Sequence, residues 1–225
     1  MSEPGFARLA ASVVARYAGS GRAARRYVAG KLRHDPVTEA ILAEAASENL
    51  GEVADLGCGR GQLGIALLLA GAARAVRGFE RAEGARADAL RAGAGLAFVA
   101  EARDLAVDPV LPPVDTVLIV DVLYQLAPPA QAALLAAAAR AARGRVLIRA
   151  LDPERGLRSA ATIALERAMR RLWPHSGAHV APCPLAEIIA PLRAAGFAVT
   201  VAPCWRGTPF ANVLISARRQ APPPG

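Results

Sequence analysis

Cysteine is scarce in this chain of 225 residues: Cys58, Cys183 and Cys204 are the only three. Three scattered thiols exclude a disulfide framework and a cysteine-built zinc site, and they point to a reducing, cytoplasmic setting. Aromatic residues are sparse too, at 4%. No apolar run reaches the roughly 18 residues of a membrane span; the longest, Leu63 to Ala73, falls well short. The N-terminal stretch Leu9 to Ala15, flanked by Arg8 and Arg16, resembles a transit peptide only weakly. No internal repeat and no metal-binding constellation is visible. Lysine is nearly missing, since Lys31 is the one lysine among 27 basic residues.

What is present needs discounting before it is read. The chain is 54% hydrophobic, but 54 of its residues are alanine. Without them roughly 30% remain as space-filling apolar residues, enough for one core with a small cap. The formal charge is +8, and it is unevenly placed. Residues 1–35 carry net +5, residues 36–139 net −6, residues 140–175 net +6, and the remainder +3. Two basic blocks therefore flank an acidic middle, and any anionic partner belongs to the flanks.

The apolar pattern divides the chain into residues 1–50, a helical cap, residues 51–220, an α/β domain with a helical insert over 151–183, and a disordered proline-rich tail, 221–225. Helices are expected from Phe6 to Asn49, broken at Gly19-Ser20-Gly21 and at Asp35-Pro36. Short apolar strands then alternate with helices. The strands are Glu52 to Leu56, Ala75 to Glu80, Leu96 to Ala100, Val114 to Val120 and Arg145 to Ala150. Helices are expected over Gln62 to Ala70, Ala82 to Arg91 and from Pro128 to Gly144. This alternation predicts five parallel strands covered on both faces. A long helix, Arg155 to Leu172, and another over Leu185 to Ala195 follow. Two closing strands, Ala198 to Ala202 and Asn212 to Ala217, are joined too briefly for a covering helix and should pair antiparallel.

The most informative run is Asp55-Leu56-Gly57-Cys58-Gly59-Arg60-Gly61-Gln62-Leu63-Gly64. Alternating glycines after a strand let the backbone turn sharply and a ligand approach it closely. The helix that follows aims backbone N–H groups at that ligand. Glu80, nineteen residues beyond Gly61, ends the next strand where a carboxylate can take both hydroxyls of a ribose. The spacing Gly59, Gly61, Gly64 also fits the dinucleotide fingerprint, so an NAD(P)-dependent oxidoreductase is a rival reading. Asp55 separates the two. Beside a pyrophosphate its charge would repel, whereas beside an ammonium or sulfonium it attracts.

At Asp55, Gly57, Gly59 and Gly61 the chain resembles the class I methyltransferases, and the resemblance runs over about residues 51 to 218. It implies a Rossmann-like, seven-stranded sheet, five parallel strands plus the antiparallel pair, with an N-terminal helical cap. It implies S-adenosyl-L-methionine as cofactor and S-adenosyl-L-homocysteine as product. Asp55, Gly57, Cys58, Gly59 and Gly61 would lie by the methionine portion, and Glu80 and its neighbour Arg81 by the ribose. Arg103, Asp104 and Leu105, after the third strand, would flank the adenine. Asp121 would lie nearest the methyl group.

The acceptor is less constrained. Methyl transfer from a sulfonium is an in-line displacement that needs alignment and exclusion of water. His34 and Tyr124 are the candidate catalytic side chains, and Tyr27, Lys31, Arg33, Arg149, His175 and His179 the candidate substrate contacts. The Asn-Pro-Pro-aromatic signature of many amino-group methyltransferases is absent, which favours oxygen as the acceptor atom. Segments such as Tyr27 to Val37 and Pro209 to Leu214 are similar to a bacterial group associated with aryl polyene and fatty-acid-like biosynthesis, which implies an acceptor on an acyl carrier. The basic blocks, in the cap and the insert, would then form a rim facing an anionic acceptor. Structured RNA is the competing anion, disfavoured because few aromatics are interleaved with the arginines. A non-catalytic nucleoside-binding member stays open as well. Metal ligands are not expected.

Overall fold

The structure, a computed structural model, describes residues 3–154, 156, 159, 160, 162, 164, 181–208 and 210–220. Three helices open the chain: α1 (Glu3–Ala15), α2 (Arg22–His34) and α3 (Val37–Ala45). Then come β1 (Glu52–Leu56), α4 (Gln62–Leu69), β2 (Ala75–Phe79), α5 (Glu83–Gly93), β3 (Phe98–Glu101) and β4 (Val114–Val120). A 3₁₀ turn over Leu123–Gln125 leads to α6 (Pro128–Ala141) and β5 (Ala142–Leu151). The chain closes with α7 (Leu185–Ala194), β6 (Phe197–Pro203) and β7 (Asn212–Arg219).

The seven strands form one sheet in the order β3-β2-β1-β4-β5-β7-β6. The first five are parallel neighbours, as the alternation predicts. β6 and β7 pair antiparallel, as their short connection predicts, and β7 also lies antiparallel beside β5. Two apolar clusters cover its faces. One joins Leu118 and Leu147 to Leu63 and Ile65 of α4 and to Val13, Val28, Leu32 and Ile41 of the cap helices. The other joins Val117, Ile119 and Ile148 to Leu134 of α6 and Ile188 of α7. The alternation along β4 explains why Leu118 faces one cluster and its neighbours the other. The cap thus shares its core with the sheet.

Several boundaries differ from the sequence reading. The helix expected to run to Asn49 stops at Ala45, because Asn49 closes the turn into β1: its Oδ1 accepts from the Gly51 N–H and its Nδ2 donates to the Gly71 carbonyl. β5 begins at Ala142 rather than Arg145. An extra residue is accommodated there, as Val114 pairs with Ala142 and Thr116 with Arg145. No breaker separates α6 from β5 until Gly144, so an alanine-rich run hides the switch. Most of the expected helix Arg155 to Leu172, with His175, His179 and the tail, lies outside the described residues. Among the described residues no helix is long and apolar enough to cross a membrane.

Candidate functional site

The parallel strands β1, β2, β3 and β4 end together, and strand order reverses between β1 and β4. Open α/β sheets bind ligands outside the strand ends at such a switch point. A cleft of about 600 Å³ lies there. Its lining includes Asp55, Gly57, Cys58 and Gly59 from the turn after β1, Glu80 and Arg81 after β2, and Arg103, Asp104 and Leu105 after β3. Asp121 and Tyr124 reach it from β4, and Tyr27 and Lys31 from α2.

The glycines of the turn do different work. Gly59 has φ +56° and open space where a Cβ would stand, so the backbone lies bare to the cleft. Gly61, expected among the cofactor contacts, is not part of the lining. It sits at φ +79°, and a Cβ there would come within 2.9 Å of Ala89 and Phe98. Gly61 therefore allows α4 to pack against α5 and β3. The cap braces the same turn, since the buried Tyr17 hydroxyl donates to the Arg60 carbonyl at 2.6 Å.

Asp55 is buried, and among the described residues its Oδ2 has no hydrogen-bond partner. Burial, with the charge of Glu80 added, pushes its carboxyl up to about 7. Gln62, at the start of α4, adds a second orphan acceptor on the same cleft, Oε1. Sequence reasoning passed over Gln62, because a polar residue opening a helix is ordinary and its missing partner appears only in three dimensions. Two buried acceptors without donors are costly, and a ligand rich in N–H donors, such as an ammonium group, is the kind that satisfies acceptors of this sort. A phosphate would satisfy neither.

Glu80 is fixed by backbone donors, Gly59 N to Oε2 at 3.0 Å and Ala82 N to Oε1 at 2.7 Å. Each oxygen keeps a lone pair for a hydroxyl. Cys58 packs against Gly78, where a Cβ would fall 2.5 Å from its Sγ. Burial first, then the charges of Asp55 and Glu80, raise its thiol well above the ordinary range, which disfavours the thiolate that a nucleophile needs. Beyond β3 the Arg103 guanidinium lies over the Phe79 ring, 4.6 Å from its centre. Asp104 Oδ1 accepts from the Ala106 N–H at 3.0 Å, and its Oδ2 stands 3.7 Å from Arg81.

At the other end Asp121 is the one non-glycine residue with positive φ, +59°, among those described. Its Oδ2 accepts from Lys31 Nζ at 2.8 Å and from Arg149 at 2.9 Å. The same two cations bond Asp35 Oδ2, each at 2.6 Å. Two carboxylates and two cations from α2, its C-cap, β4 and β5 thus form a closed, charge-balanced group. Burial alone would lower the Lys31 ammonium, but Asp121 and Asp35 outweigh it and hold the proton far more tightly than in a free lysine.

Three expectations need correction. His34, offered as a catalytic group, and Arg33 do not line the cleft. Both border a second cavity of about 560 Å³ with Cys204, Trp205 and Arg206. His34 is the last, exposed residue of α2, and the ion-paired Asp35 begins the bend that follows it. Arg149 is 3% exposed and lines neither cavity, serving instead the Asp35–Asp121 pair. Of the expected basic rim, Arg149 is taken up by Asp35 and Asp121, and Lys31 is paired with the same acids but still lines the cleft. Arg155, Arg158, Arg167, Arg170 and Arg171 lie outside the described residues.

No protein-family model matches the chain, and no curated protein matches it. Solved structures do. The fold is that of the class I methyltransferases. The chain is similar to the magnesium protoporphyrin IX methyltransferase of Synechocystis PCC 6803 with bound S-adenosylhomocysteine, at 22% identity and TM-score 0.63, over 82% of this chain and 84% of that one. It is similar to an O-methyltransferase family protein from Burkholderia thailandensis, at 17% identity and TM-score 0.66, over 92% and 62%. A third likeness is to NcsB1, an O-methyltransferase from neocarzinostatin biosynthesis, in complex with S-adenosylhomocysteine and 1,4-dihydroxy-2-naphthoic acid. It has 21% identity and TM-score 0.56, over 78% and 52%. At these identities the likeness shows the fold alone.

Proposed function

We propose that this chain is an S-adenosylmethionine-dependent methyltransferase that acts at oxygen on a small or carrier-bound acceptor. The observation that carries the reading is the orphaned pair Asp55 Oδ2 and Gln62 Oε1 beside the bare backbone of Gly59. An amino acid ammonium meets their unfilled acceptor capacity. Glu80 would take the ribose hydroxyls, and Arg103, Asp104 and Leu105 would enclose the base. Such a cofactor supplies a methyl group on a cationic sulfur that is already a good leaving group.

The chain's own residues then align the acceptor and keep water away. Tyr27, Lys31, Asp121 and Tyr124 line the part of the cleft left beyond the glycine turn. Asp121 would stand nearest the sulfur of the bound cofactor, with its own charge already balanced by Lys31 and Arg149. Neighbours of the same fold, such as the NcsB1 complex with a dihydroxynaphthoic acid, support a small-molecule acceptor. The sequence likeness to the aryl polyene-associated group supports a narrower version, an aryl or acyl group on a carrier protein.

Calorimetric titration tests this against its rivals. Binding of S-adenosylhomocysteine and none of NAD(H) is the expected result, and tight NAD(H) binding alone would reverse the assignment to an oxidoreductase. Parallel incubation of methyl donor with phenolic acids, acyl carrier conjugates and total RNA separates the acceptor classes. Labelling of RNA alone, with a steep salt dependence, would favour the RNA methyltransferase reading.

A further inference from the structure

The acceptor end of the cleft carries a donor that the ion-pair group does not use up. We infer that Lys31 holds the acceptor as an aryl oxyanion, so that the methyl acceptor is a phenol-type hydroxyl bound in its ionised form. The inference rests on the methyltransferase reading above and specifies the substrate class at the same cleft.

An ammonium has three N–H donors. Lys31 spends two, on Asp35 Oδ2 at 2.6 Å and Asp121 Oδ2 at 2.8 Å. Its side chain is 28% exposed and lines the cleft, and among the described residues the third donor has no partner. The charged groups around it are Asp35 at the end of its own helix, Asp121 from β4, Arg149 from β5 and the Tyr27 ring one turn back. The two aspartates keep Lys31 cationic, so it serves as a donor and not as a proton acceptor. Asp55, Glu80 and Asp104 belong on this reading to the cofactor. At the acceptor end the described carboxylate of the cleft is Asp121, already held by Lys31 and Arg149, while His34 borders the other cavity.

An oxygen acceptor fits such a donor and a nitrogen acceptor does not. A neutral amine has a single lone pair, which must attack the methyl carbon and cannot also accept from Lys31. An oxyanion has three, so it can accept from Lys31 and still attack. Tyr27 and Tyr124, with Val122 and Leu126, give this part of the cleft flat and apolar walls suited to an aryl group. The proton leaves the hydroxyl for solvent on binding. In the transfer the oxygen's electron pair then takes the methyl group, while the pair of the broken carbon–sulfur bond stays on sulfur.

The test uses the complex with S-adenosylhomocysteine and 4-nitrophenol, whose ionised form absorbs at a distinct wavelength. Binding should generate the phenolate band at a pH where free 4-nitrophenol is mainly protonated. Lys31→Met should abolish this band at least tenfold in binding constant, and Lys31→Arg should restore part of it. Calorimetry on the same proteins should show S-adenosylhomocysteine bound with little change. Failure of that cofactor to bind the wild type would defeat the methyltransferase reading itself. With cofactor bound, any of three results would overturn the oxyanion assignment alone: no phenolate band, a band that survives in Lys31→Met, or tighter displacement by aniline or benzoate than by phenol.

Discussion

Two aspartates stand at the tips of adjacent parallel strands, and the protein treats them in opposite ways. Asp55, on β1, is buried with an orphaned oxygen and a carboxyl raised to about 7. Asp121, just beyond β4, has one oxygen gripped by both Lys31 and Arg149. The first is uncompensated among the described residues and on the proposed reading would gain its partner from the cofactor. The second is compensated in advance and fixes the cap to the sheet. The cleft thus has one unfinished end and one finished end. The unfinished end is destabilising in the free protein, and on the proposed reading cofactor binding would relieve it.

Removing each carboxylate should expose this difference. Asp121→Ala should destabilise the free protein by roughly 3 kcal/mol, the low end for breaking a buried pair because Asp35 still faces both cations. Denaturant unfolding checks it, and a stability equal to wild type would show the group to be dispensable. Asp55→Asn should do the reverse. Above pH 7 the free protein should be as stable or more stable, while S-adenosylhomocysteine binds about 10- to 100-fold more weakly for want of one charge-assisted bond.

The pH dependence sharpens the same contrast. Asp55 is raised in the folded state from its ordinary 3.8 to about 7, so between these values the folded chain binds a proton that the unfolded chain does not. Its contribution to stability is therefore fully present below about 3.8 and is lost as pH rises to about 7. Thermal unfolding across that window should show this fall, and Asp55→Asn should remove it. A smaller effect is expected at Tyr17→Phe, which loses one bond to the glycine turn. It should cost about 1 kcal/mol and weaken cofactor binding only a few-fold, as read by denaturation and calorimetry.

These two ends were unequally legible in the sequence. Asp55, Gly59 and Glu80 fall within one strand–turn–helix–strand unit, where local spacing carries the geometry. The alternation of short apolar runs likewise pointed to the parallel strands, and the short connection between the last two to their antiparallel pairing. The group of Lys31, Asp35, Asp121 and Arg149 joins residues 90 and 114 positions apart, and no local pattern announces it. Arg149 looks like a substrate contact because only the folded chain shows it buried between two acids. His34 misled for a related reason. Nearness to Lys31 in sequence does not decide on which side of the cap a helix-terminal side chain emerges. Gln62 was passed over because an orphaned acceptor is defined by what does not surround it.

The most direct measurement is the proton count on cofactor binding. S-adenosylmethionine is titrated calorimetrically at a pH just below the raised value of about 7 in buffers of differing ionisation enthalpy. If Asp55 receives the ligand's cationic group, wild type releases a proton on binding, and Asp55→Asn shows no such release and a weaker affinity. Buffer-independent heat in the wild type, together with unchanged affinity in Asp55→Asn, would contradict that role.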